Sequence, residues 1–379
     1  MKIIYITNNR IPSEKAHSFQ VTKMCEAFSN AGVEVELWIP RRFNKIKENL
    51  FDYYNVKKMF EIRKIFVIDA IPLSKYLGRF ANLVESISFA IFAFIAVYRT
   101  KFDFIYSRDQ FICWFLSFSR KKFIYEIHNF PKSISLYKKM WKRTYKVVAI
   151  TQGLKNLLIK HRIDGNKILV ASDAVELADF HAFTQTKEEL KIELGLPKDF
   201  IVGYVGKFKT LEMEKGIAIM IEALSLLSKE NKMIFVGGED SEIKDYKTLA
   251  NRFNVITQCI FVGYESHTKA IKYMEAADVL VIPFPNNSHY AFYASPLKLF
   301  EYMASGRPII ASDLPSLREV LNDKNALFFK PENAADLARA INMLRSSPML
   351  GYHLSRQALA DVREYTWDNR AKKILDFIK

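Results

Sequence analysis

The feature that most constrains the fold is an alternation of short apolar runs with helix-patterned segments, which occurs in both halves of the chain. The runs in the first half are 2–7, 33–40, 104–107, 123–128, 146–150 and 168–171. Those in the second half are 200–205, 232–236, 260–263, 279–283 and 308–312. Strand patterns separated by helices at this spacing are typical of βαβ units with a parallel sheet. The sequence therefore predicts an α/β protein with two doubly wound, Rossmann-like domains.

The strand patterns lapse between residues 180 and 196, which predicts a linker in that segment. We therefore expect a first domain over 1–185 and a second over 197–360. A last segment, 361–379, is predicted to carry a helix over 367–378 that no strand follows. Ligands of open α/β sheets bind at the carboxyl ends of the strands, so the two domains are expected to face a central cleft.

The net charge of +15 is concentrated in the first half of the 379 residues. Residues 1–190 hold 31 Lys and Arg against 18 Asp and Glu, whereas residues 191–379 hold 25 against 23. A basic half suits nucleic acid, anionic lipid or an anionic acceptor. Nucleic acid is disfavoured because no groove-reading or base-stacking motif accompanies the charge.

The cysteine pattern and the start of the sequence favour a cytoplasmic protein. Cys25, Cys113 and Cys259 lie far apart and form no C-x-x-C pair, which indicates a reducing compartment. The opening MKIIYIT is predicted to be a first strand rather than a signal peptide. The longest apolar run, 87–98, is shorter than the roughly 20 residues that span a membrane. It predicts a buried helix, with a monotopic membrane contact as the alternative.

The clearest candidate site lies around the segment 290–312. Ser295 fits an N-cap, Pro296 fits the first position of a helix over 296–304, and Gly306 fits its end. The free N–H groups at the start of such a helix form an anion site.

Two polar residues share one face of this predicted helix. Lys298 and Glu301 are three residues apart. The lysine suits a phosphate, and the carboxylate suits the two vicinal hydroxyls of a ribose. The alternative is an ordinary capped helix with a surface ion pair.

A second candidate site lies in the segment 203–216, GYVGKFKTLEMEKG. Gly206 permits a close backbone approach, and Lys207 and Lys215 bring two positive charges to one strand end. Two such charges would stabilise a departing diphosphate. The alternative is a basic surface loop, and the segment lacks the Walker A pattern.

The first half contributes three further candidates. His128 ends a predicted strand, with Glu126 on the same strand face, and its alternative is a structural histidine. Lys15 and His17 lie in the loop after the first strand and are candidates for contact with an acceptor, a solvated loop being the alternative. No metal-binding or serine-hydrolase motif is present, so neither chemistry is expected.

In this order and spacing, the motifs resemble those of the family 4 retaining glycosyltransferases, which have the GT-B fold with two Rossmann-like domains. The matching segments include AFSNAGVEV, YSRDQF, YEIHNF, VVAITQGLKN, GYVGKF, FVGGED, FVGYES, YMEAADVLVIPF, SPLKLFEYMASGRPIIASDLPSLREV and YTWDNRAKKIL. The resemblance covers almost the whole chain and does not identify one substrate.

The resemblance implies a role for individual residues. Lys207 and Lys215 match the basic pair that binds the donor diphosphate, and Glu301 matches the ribose-binding glutamate. The loop that contacts phosphate and sugar is matched by Ser295, Pro296, Leu297 and Lys298. His128 matches the histidine beside the donor sugar, and Gly263 and Tyr264 match the loop near the base. The helix in 361–379 would cross back to the first domain.

The chain departs from the family pattern at two places. The family has an acid eight residues before the ribose-binding glutamate, where this chain has Tyr293. The glycine-rich first loop of many relatives is replaced by PSEKAHS. The first departure leaves the donor sugar open.

The expected reaction transfers a sugar from a nucleoside-diphosphate donor to an acceptor hydroxyl with retained configuration. The expected acceptor is a saccharide or a lipid-linked saccharide of bacterial cell-surface assembly. The reaction is expected to need no cofactor or metal. The protein is expected to contact an anionic membrane surface at the inner face of the plasma membrane. Two alternatives stay open. One is a sugar-nucleotide 2-epimerase, and the other is a catalytically degenerate binding subunit of an envelope-biosynthesis complex.

Overall fold

The structure is a computed structural model that describes residues 1–70, 78–131, 134–180, 182, 184–210 and 212–379. The chain divides into two compact units. The first comprises Met1–Asp173 together with Trp367–Lys379, and the second comprises Ala174–Thr366. The boundary therefore follows residue 173 rather than lying within 180–196. A helix, Lys187–Glu193, occupies part of the expected linker and is fixed by a capping box at Thr186.

The first unit is built on a seven-stranded sheet in which every neighbouring pair is parallel. Its strands are β1 (Lys2–Ile6), β2 (Glu34–Pro40), β3 (Glu61–Ile65), β4 (Phe104–Ser107), β5 (Phe123–Ile127), β6 (Lys146–Ala149) and β7 (Ile168–Val170). Their order is β3-β2-β1-β4-β5-β6-β7. The order reverses between β1 and β4, as in a doubly wound fold. The edge strand β3 was not predicted, because its sequence EIRKI carries three charges and only its last residue is buried.

The second unit has a six-stranded parallel sheet of the same kind and a short antiparallel hairpin. The strands of the sheet are β8 (Phe200–Val205), β11 (Asn231–Val236), β12 (Cys259–Gly263), β13 (Val279–Ile282), β14 (Ile309–Ser312) and β15 (Leu327–Phe329), and those of the hairpin are β9 (Lys209–Thr210) and β10 (Met213–Glu214). The order in the sheet is β12-β11-β8-β13-β14-β15. It reverses between β8 and β13, which places a crevice at their carboxyl ends.

Helices cover the sheets in both units. Those of the first unit are α1 (Ala16–Asn30), α2 (Leu50–Tyr53), α3 (Arg79–Tyr98), α4 (Gln110–Leu116), α5 (Ile134–Arg143), α6 (Gln152–Lys160) and α16 (Trp367–Ile378). Those of the second are α7 (Leu177–Phe180), α8 (Lys187–Glu193), α9 (Ile217–Leu224), α10 (Asp240–Arg252), α11 (His267–Ala276), α12 (Leu297–Ala304), α13 (Pro315–Arg318), α14 (Ala334–Ser346) and α15 (Pro348–Asp361). The two fold-level predictions, an α/β class and two doubly wound domains, are confirmed.

The central strands are buried along almost their whole length, because helices cover both faces of a parallel sheet. Every residue of β5, FIYEI, is buried, including Glu126. Every residue of β13, VLVI, is buried as well. A charged group inside such a strand needs hydrogen-bond partners, and Glu126 accepts hydrogen bonds from Gln20 and Tyr106.

Helix α3 differs from its prediction. The apolar run was expected to be too short to span a membrane and to form a buried helix. The helix is 20 residues long, and the 19-residue stretch Phe80–Tyr98 is long and apolar enough to cross a membrane by length and composition alone. Only 39% of that stretch is buried inside the protein. The helix is therefore longer than the predicted run, and the prediction of a buried helix is wrong for much of its length.

Gly216 follows the hairpin β9–β10 and passes close to the backbone just after strand β13. Replacing this glycine tests the close approach. The glycine has a φ of +91°, and an added Cβ would lie 1.8 Å from the carbonyl oxygen of Pro283. We expect Gly216→Ala to lower the free energy of unfolding by about 3 kcal/mol or more, measured by urea denaturation.

Gly195→Ala is the matched control in the same unit. Gly195 also has a positive φ, +65°, but an added Cβ would meet no atom within 4 Å. This change is expected to cost only about 1–2 kcal/mol from backbone strain. Equal losses in the two variants would contradict the close approach of Gly216 to Pro283.

Candidate active site

The carboxyl end of β8 lies at the switch point of the second sheet and is tied to helix α12. The hydroxyl of Tyr302 accepts a hydrogen bond from the Val205 N–H at 2.8 Å and donates one to the Val205 carbonyl at 3.2 Å. Gly206 follows with a φ of +129°, a conformation that favours glycine. These hydrogen bonds join the end of β8 to helix α12.

The hairpin β9–β10 returns the chain to the strand end that it has just left. The Lys215 N–H donates to the Phe208 carbonyl at 3.0 Å, so Lys215 is brought back near Lys207. Burial, followed by the charge on Lys207, lowers the pKa of Lys215 to about 8. The carboxylate of Glu214 accepts hydrogen bonds from the N–H groups of Gly216 and Ala218 at the start of α9, and the charge of Glu242 partly opposes the lowering of the Lys215 pKa.

Lys298 is a third lysine at this place, and its side chain is buried with only 7% of its surface exposed. Its ammonium nitrogen lies 3.5 Å from the ring centroid of Tyr204. A Cβ on Gly206 would lie 3.0 Å from the same nitrogen, so the glycine makes room for it. Among the residues that the structure describes, this nitrogen has no hydrogen-bond partner. Burial, followed by the charge on Lys215, lowers the pKa of Lys298 well below its ordinary value.

Helix α12 begins one residue later than predicted. Pro296, rather than Ser295, occupies the N-cap, with φ −78° and ψ 131°. Proline has no side-chain acceptor, and no side chain in the described part of the chain caps this helix end. The first N–H groups of α12, at Leu297 and Lys298, are therefore left for an anion. Gly306 ends the helix in a left-handed conformation, φ +68°, as predicted.

Glu301 contacts a residue that the sequence reasoning missed. Its carboxylate oxygen lies 3.2 Å from Nε2 of His267, the first residue of α11. The expected alternative of a surface ion pair with Lys298 does not describe the site, because that lysine is buried over Tyr204. The position of His267 just beyond the carboxyl end of β12 was the signal that could have found it.

The loop after β13 contributes a second missed residue, His289. Burial, followed by the charge on Lys215, lowers the pKa of His289. Its ring centroid lies 6.4 Å from that of Tyr293, in the same short helical segment His289–Tyr293. A neutral imidazole therefore stands near the lysines, in the segment where the family's first acid was expected. Gly263 ends β12 with a φ of +83°, and Tyr264 after it has 59% of its surface exposed.

In the first unit, His128 and Glu126 belong to a buried polar network. Glu126 accepts hydrogen bonds from Gln20 at 2.6 Å and from the hydroxyl of Tyr106, and its oxygen lies 2.5 Å from Nε2 of His128. Arg370 of helix α16 lies 3.1 Å from the second carboxylate oxygen. The arginine also donates to the Ser172 carbonyl at 2.8 Å.

The charges in this network fix the protonation of His128. Burial opposes the ionisation of Glu126, but the charge of Arg370 and the hydrogen bond from His128 hold its pKa well below the usual range. Burial and the charge of Arg108 lower the pKa of His128. The ring is therefore neutral at physiological pH, and its Nε2–H donates to the carboxylate. Nδ1 is left as a hydrogen-bond acceptor.

The two acceptor-side candidates lie at the start of α1. This helix begins at Ala16, so Lys15 is its N-cap and His17 is in its first turn. Both residues belong to a helix start rather than to a loop, and their acceptor role stays a prediction. Within the described residues, no group of three or more His, Cys, Asp or Glu is arranged to hold a metal ion.

The fold and this basic strand end define a class of protein. The whole chain superposes on HepE of Anabaena in complex with UDP and glucose, with a TM-score of 0.76 and 16% identity, over 99% of this chain and 98% of that chain. The chain therefore has the GT-B fold. Residues 199–347 match the family model described as Glycosyl transferases group 1. This match lies within the second unit, and it agrees with the family that the sequence motifs resemble.

Two curated relatives are similar over part of the chain. A putative teichuronic acid biosynthesis glycosyltransferase of Bacillus subtilis is 30% identical over 196 residues, which is 52% of this chain. The alpha-monoglucosyldiacylglycerol synthase of Streptococcus pneumoniae is 24% identical over 242 residues, which is 61% of this chain. The matched regions cover 45% and 51% of these relatives, so the chain spans about half of their length.

The buried network around Glu126 makes a prediction about stability. Glu126→Gln leaves Arg370 buried without its counter-charge, so we expect a loss of about 3–5 kcal/mol in the free energy of unfolding at pH 7. The folded-state pKa of Glu126 is depressed, so its contribution is complete above the ordinary value of 4.5 and is lost as the pH falls through the folded-state pKa. The difference between wild type and variant should therefore shrink below about pH 4.5, measured by urea denaturation at several pH values.

Glu34→Gln is the control for this experiment. Glu34 forms an exposed ion pair with Lys2 at 2.7 Å, and such pairs contribute at most about 1 kcal/mol. A Glu126→Gln variant as stable as Glu34→Gln at pH 7 would show that the buried network does not hold the first unit together.

Proposed function

We propose that the protein transfers a sugar from a nucleoside-diphosphate donor to an acceptor hydroxyl, with retained configuration. The observation that carries this proposal is the buried ammonium of Lys298 beside Lys207 and Lys215, which has no hydrogen-bond partner in the part of the chain that the structure describes. Burial lowers the pKa of two of these lysines, so the cluster is stabilised by a ligand that brings negative charge. Perturbed groups of this kind cluster at functional sites.

A diphosphate fits this cluster better than a single carboxylate does. The three lysines and the open N–H groups of α12 form one positive region at the end of β8. Charge that develops on a leaving β-phosphate would be stabilised there by groups that are already in place. The roles of Lys207, Lys215 and Lys298 in the reaction follow from this electrostatic argument.

Glu301 supports a nucleoside on the same donor. Its carboxylate is held by His267 on the outer side of α12 and is positioned three residues from Lys298. A carboxylate accepts hydrogen bonds from the two hydroxyls of a ribose, and Gly263 and Tyr264 would lie near the base. Nδ1 of His128 would accept a hydrogen bond from a hydroxyl beside the transferred sugar.

The acceptor is proposed to be a saccharide or a lipid-linked saccharide of the cell surface. One relative is named for teichuronic acid biosynthesis and another for the synthesis of a glucosyl diacylglycerol. The basic first half of the chain suits an anionic acceptor. We also propose that the protein works in the cytoplasm.

The donor site can be tested by comparing three nucleotides in thermal unfolding. UDP should raise Tm more than UMP does, because the second phosphate is the group that reaches the lysines. Lys298→Met should remove this difference, while the smaller UMP shift remains. An unchanged difference between UDP and UMP in Lys298→Met would contradict the role of Lys298. GDP serves to identify the base, and no shift with either UDP or GDP would favour the binding-subunit alternative.

The ribose role of Glu301 has its own test. Wild type is expected to bind UDP more tightly than 2′-deoxy-UDP by about five-fold or more, since one charge-assisted hydrogen bond is lost. In Glu301→Ala the two affinities should become equal, as measured by calorimetry. A variant that still prefers UDP would remove Glu301 from the ribose site.

The pKa of Lys215 gives a pH dependence. In the protein without ligand, Lys215 loses its proton as the pH rises through about 8, whereas the diphosphate is already fully ionised above pH 7. The affinity for UDP should therefore fall above about pH 8, by up to about ten-fold per pH unit. Lys215→Arg keeps its charge and should bind with a flatter pH profile. Identical profiles would contradict the titration of Lys215 in the site.

Transfer itself is tested with the identified donor and a panel of acceptors. Release of the nucleoside diphosphate that requires an acceptor supports the transferase. Conversion of the nucleotide sugar without any acceptor would instead support the epimerase alternative.

A further inference from the structure

Helix α3 exposes its largest apolar side chains to solvent. The exposed residues of its apolar stripe are Phe80, Leu83, Ile87, Ile91, Phe92, Ile95 and Tyr98. Apart from the adjacent pair Ile91 and Phe92 they recur every three or four residues, so they lie on one side of a helix about 30 Å long. The buried positions are mostly small or polar, namely Ala81, Glu85, Ser88, Phe89, Ala90, Ala93 and Val97. A helix on the surface of a globular protein normally has the opposite distribution.

The exposed apolar surface continues beyond the helix. The ring of Phe66 contacts that of Phe92, with centroids 4.9 Å apart. The N–H of Ile68 donates to the hydroxyl of Ser88 at 3.1 Å, which fixes this segment beside the helix. Phe66 and Ile68 are both more than half exposed. The outer apolar face consists of these two residues and the seven exposed residues of α3.

The opposite side of α3 is bound to the first unit. Glu85 forms a buried ion pair with Arg42, and Phe94 contacts Phe115 at 6.1 Å between ring centroids. A membrane-spanning helix would have to place this charged and polar side in lipid or against other helices. Only one side of α3 is therefore available to an apolar partner.

Basic residues border the outer apolar face. Arg99 and Lys101 follow the helix directly, and the ammonium of Lys121 lies 5.6 Å from the ring centroid of Tyr98. The flanking segments 41–66 and 99–122 hold eight and six Lys and Arg, against three and two Asp and Glu, and of these Arg42 is buried against Glu85 and is not part of the border. An apolar face with a basic border matches a lipid surface with anionic headgroups. A second copy of this face would bring like charges together.

We propose that the outer apolar face docks on an anionic lipid bilayer, with helix α3 lying in the plane of the membrane interface. The apolar side chains enter the boundary between headgroups and acyl chains, and the bordering cations contact lipid phosphates. This inference does not rest on the proposed function, because vesicle binding is measured with no nucleotide or acceptor present.

The test uses the full chain and sedimentation with vesicles. Phosphatidylcholine vesicles that contain phosphatidylglycerol should bind the protein, and phosphatidylcholine alone should bind it more weakly. The variant Leu83→Gln/Ile87→Gln/Ile91→Gln/Ile95→Gln should lose about ten-fold or more of the vesicle affinity, because four apolar groups no longer leave water. Glutamine retains helix propensity and every changed position is exposed, so far-UV circular dichroism should be unchanged.

The matched control changes four exposed apolar residues of the second unit, Ile192→Gln/Leu226→Gln/Met349→Gln/Tyr352→Gln. It should bind vesicles as wild type does. Equal losses in the two quadruple variants would overturn the proposal, since general surface hydrophobicity would then explain binding.

The charge border is tested separately with Arg99→Gln/Lys101→Gln/Lys121→Gln, which leaves the apolar stripe intact. Its affinity for anionic vesicles should fall and depend less on salt, whereas an unchanged salt dependence would count against the border. Release of the wild-type protein from vesicles by alkaline carbonate supports an interfacial helix, and retention would show a spanning one. Light scattering tests the other occupant, a second copy of the chain. The face would be assigned to a second copy if wild type does not bind vesicles but forms a dimer, and if the quadruple glutamine variant of α3 disrupts that dimer.

Discussion

The second unit depends on a buried ammonium, that of Lys298, which has no hydrogen-bond partner among the residues that the structure describes. Lys298 lies under Gly206 and over Tyr204, and Lys215 returns to the same place through a two-stranded hairpin. Glu214, the last residue of the hairpin, accepts hydrogen bonds from backbone N–H groups at the start of α9. The ligand-free site is therefore electrostatically unfavourable, and a diphosphate would relieve that cost.

The buried charge of the first unit is negative, the opposite of that in the second unit. Its buried carboxylate, Glu126, is surrounded by donors and by the guanidinium of Arg370, so the charge is fully compensated within the protein. One consequence is a histidine, His128, that is neutral and oriented before any ligand arrives. The two units thus differ in kind, since the buried charge of the first is paired by its own residues, whereas that of the second is the charge for which a ligand is proposed.

Much of this arrangement could be predicted from the sequence, because it depends on local patterns. The strands β4 and β8 have the predicted bounds, and the other predicted strands differ by a residue at one or both ends, as is usual for strand boundaries. The edge strand β3 was missed because an exposed edge carries charges in place of an apolar run. His267 and His289 were missed because their contacts join loops that are distant in sequence. The exposure of α3 was missed because an apolar run indicates only that a helix packs against something apolar. The sequence does not distinguish the interior of the protein from lipid.

The position of Arg370 in the chain has a consequence for synthesis. Glu126 belongs to a strand that is made early, yet its counter-charge is on α16, which emerges only after the whole second unit. A nascent first unit would hold a buried carboxylate without its arginine, whereas the second unit is contiguous and has no such dependence. Folding during translation would therefore complete the second unit before the first, against the usual N-terminal order. The first unit becomes fully compensated only when the ribosome has released the segment that contains Arg370.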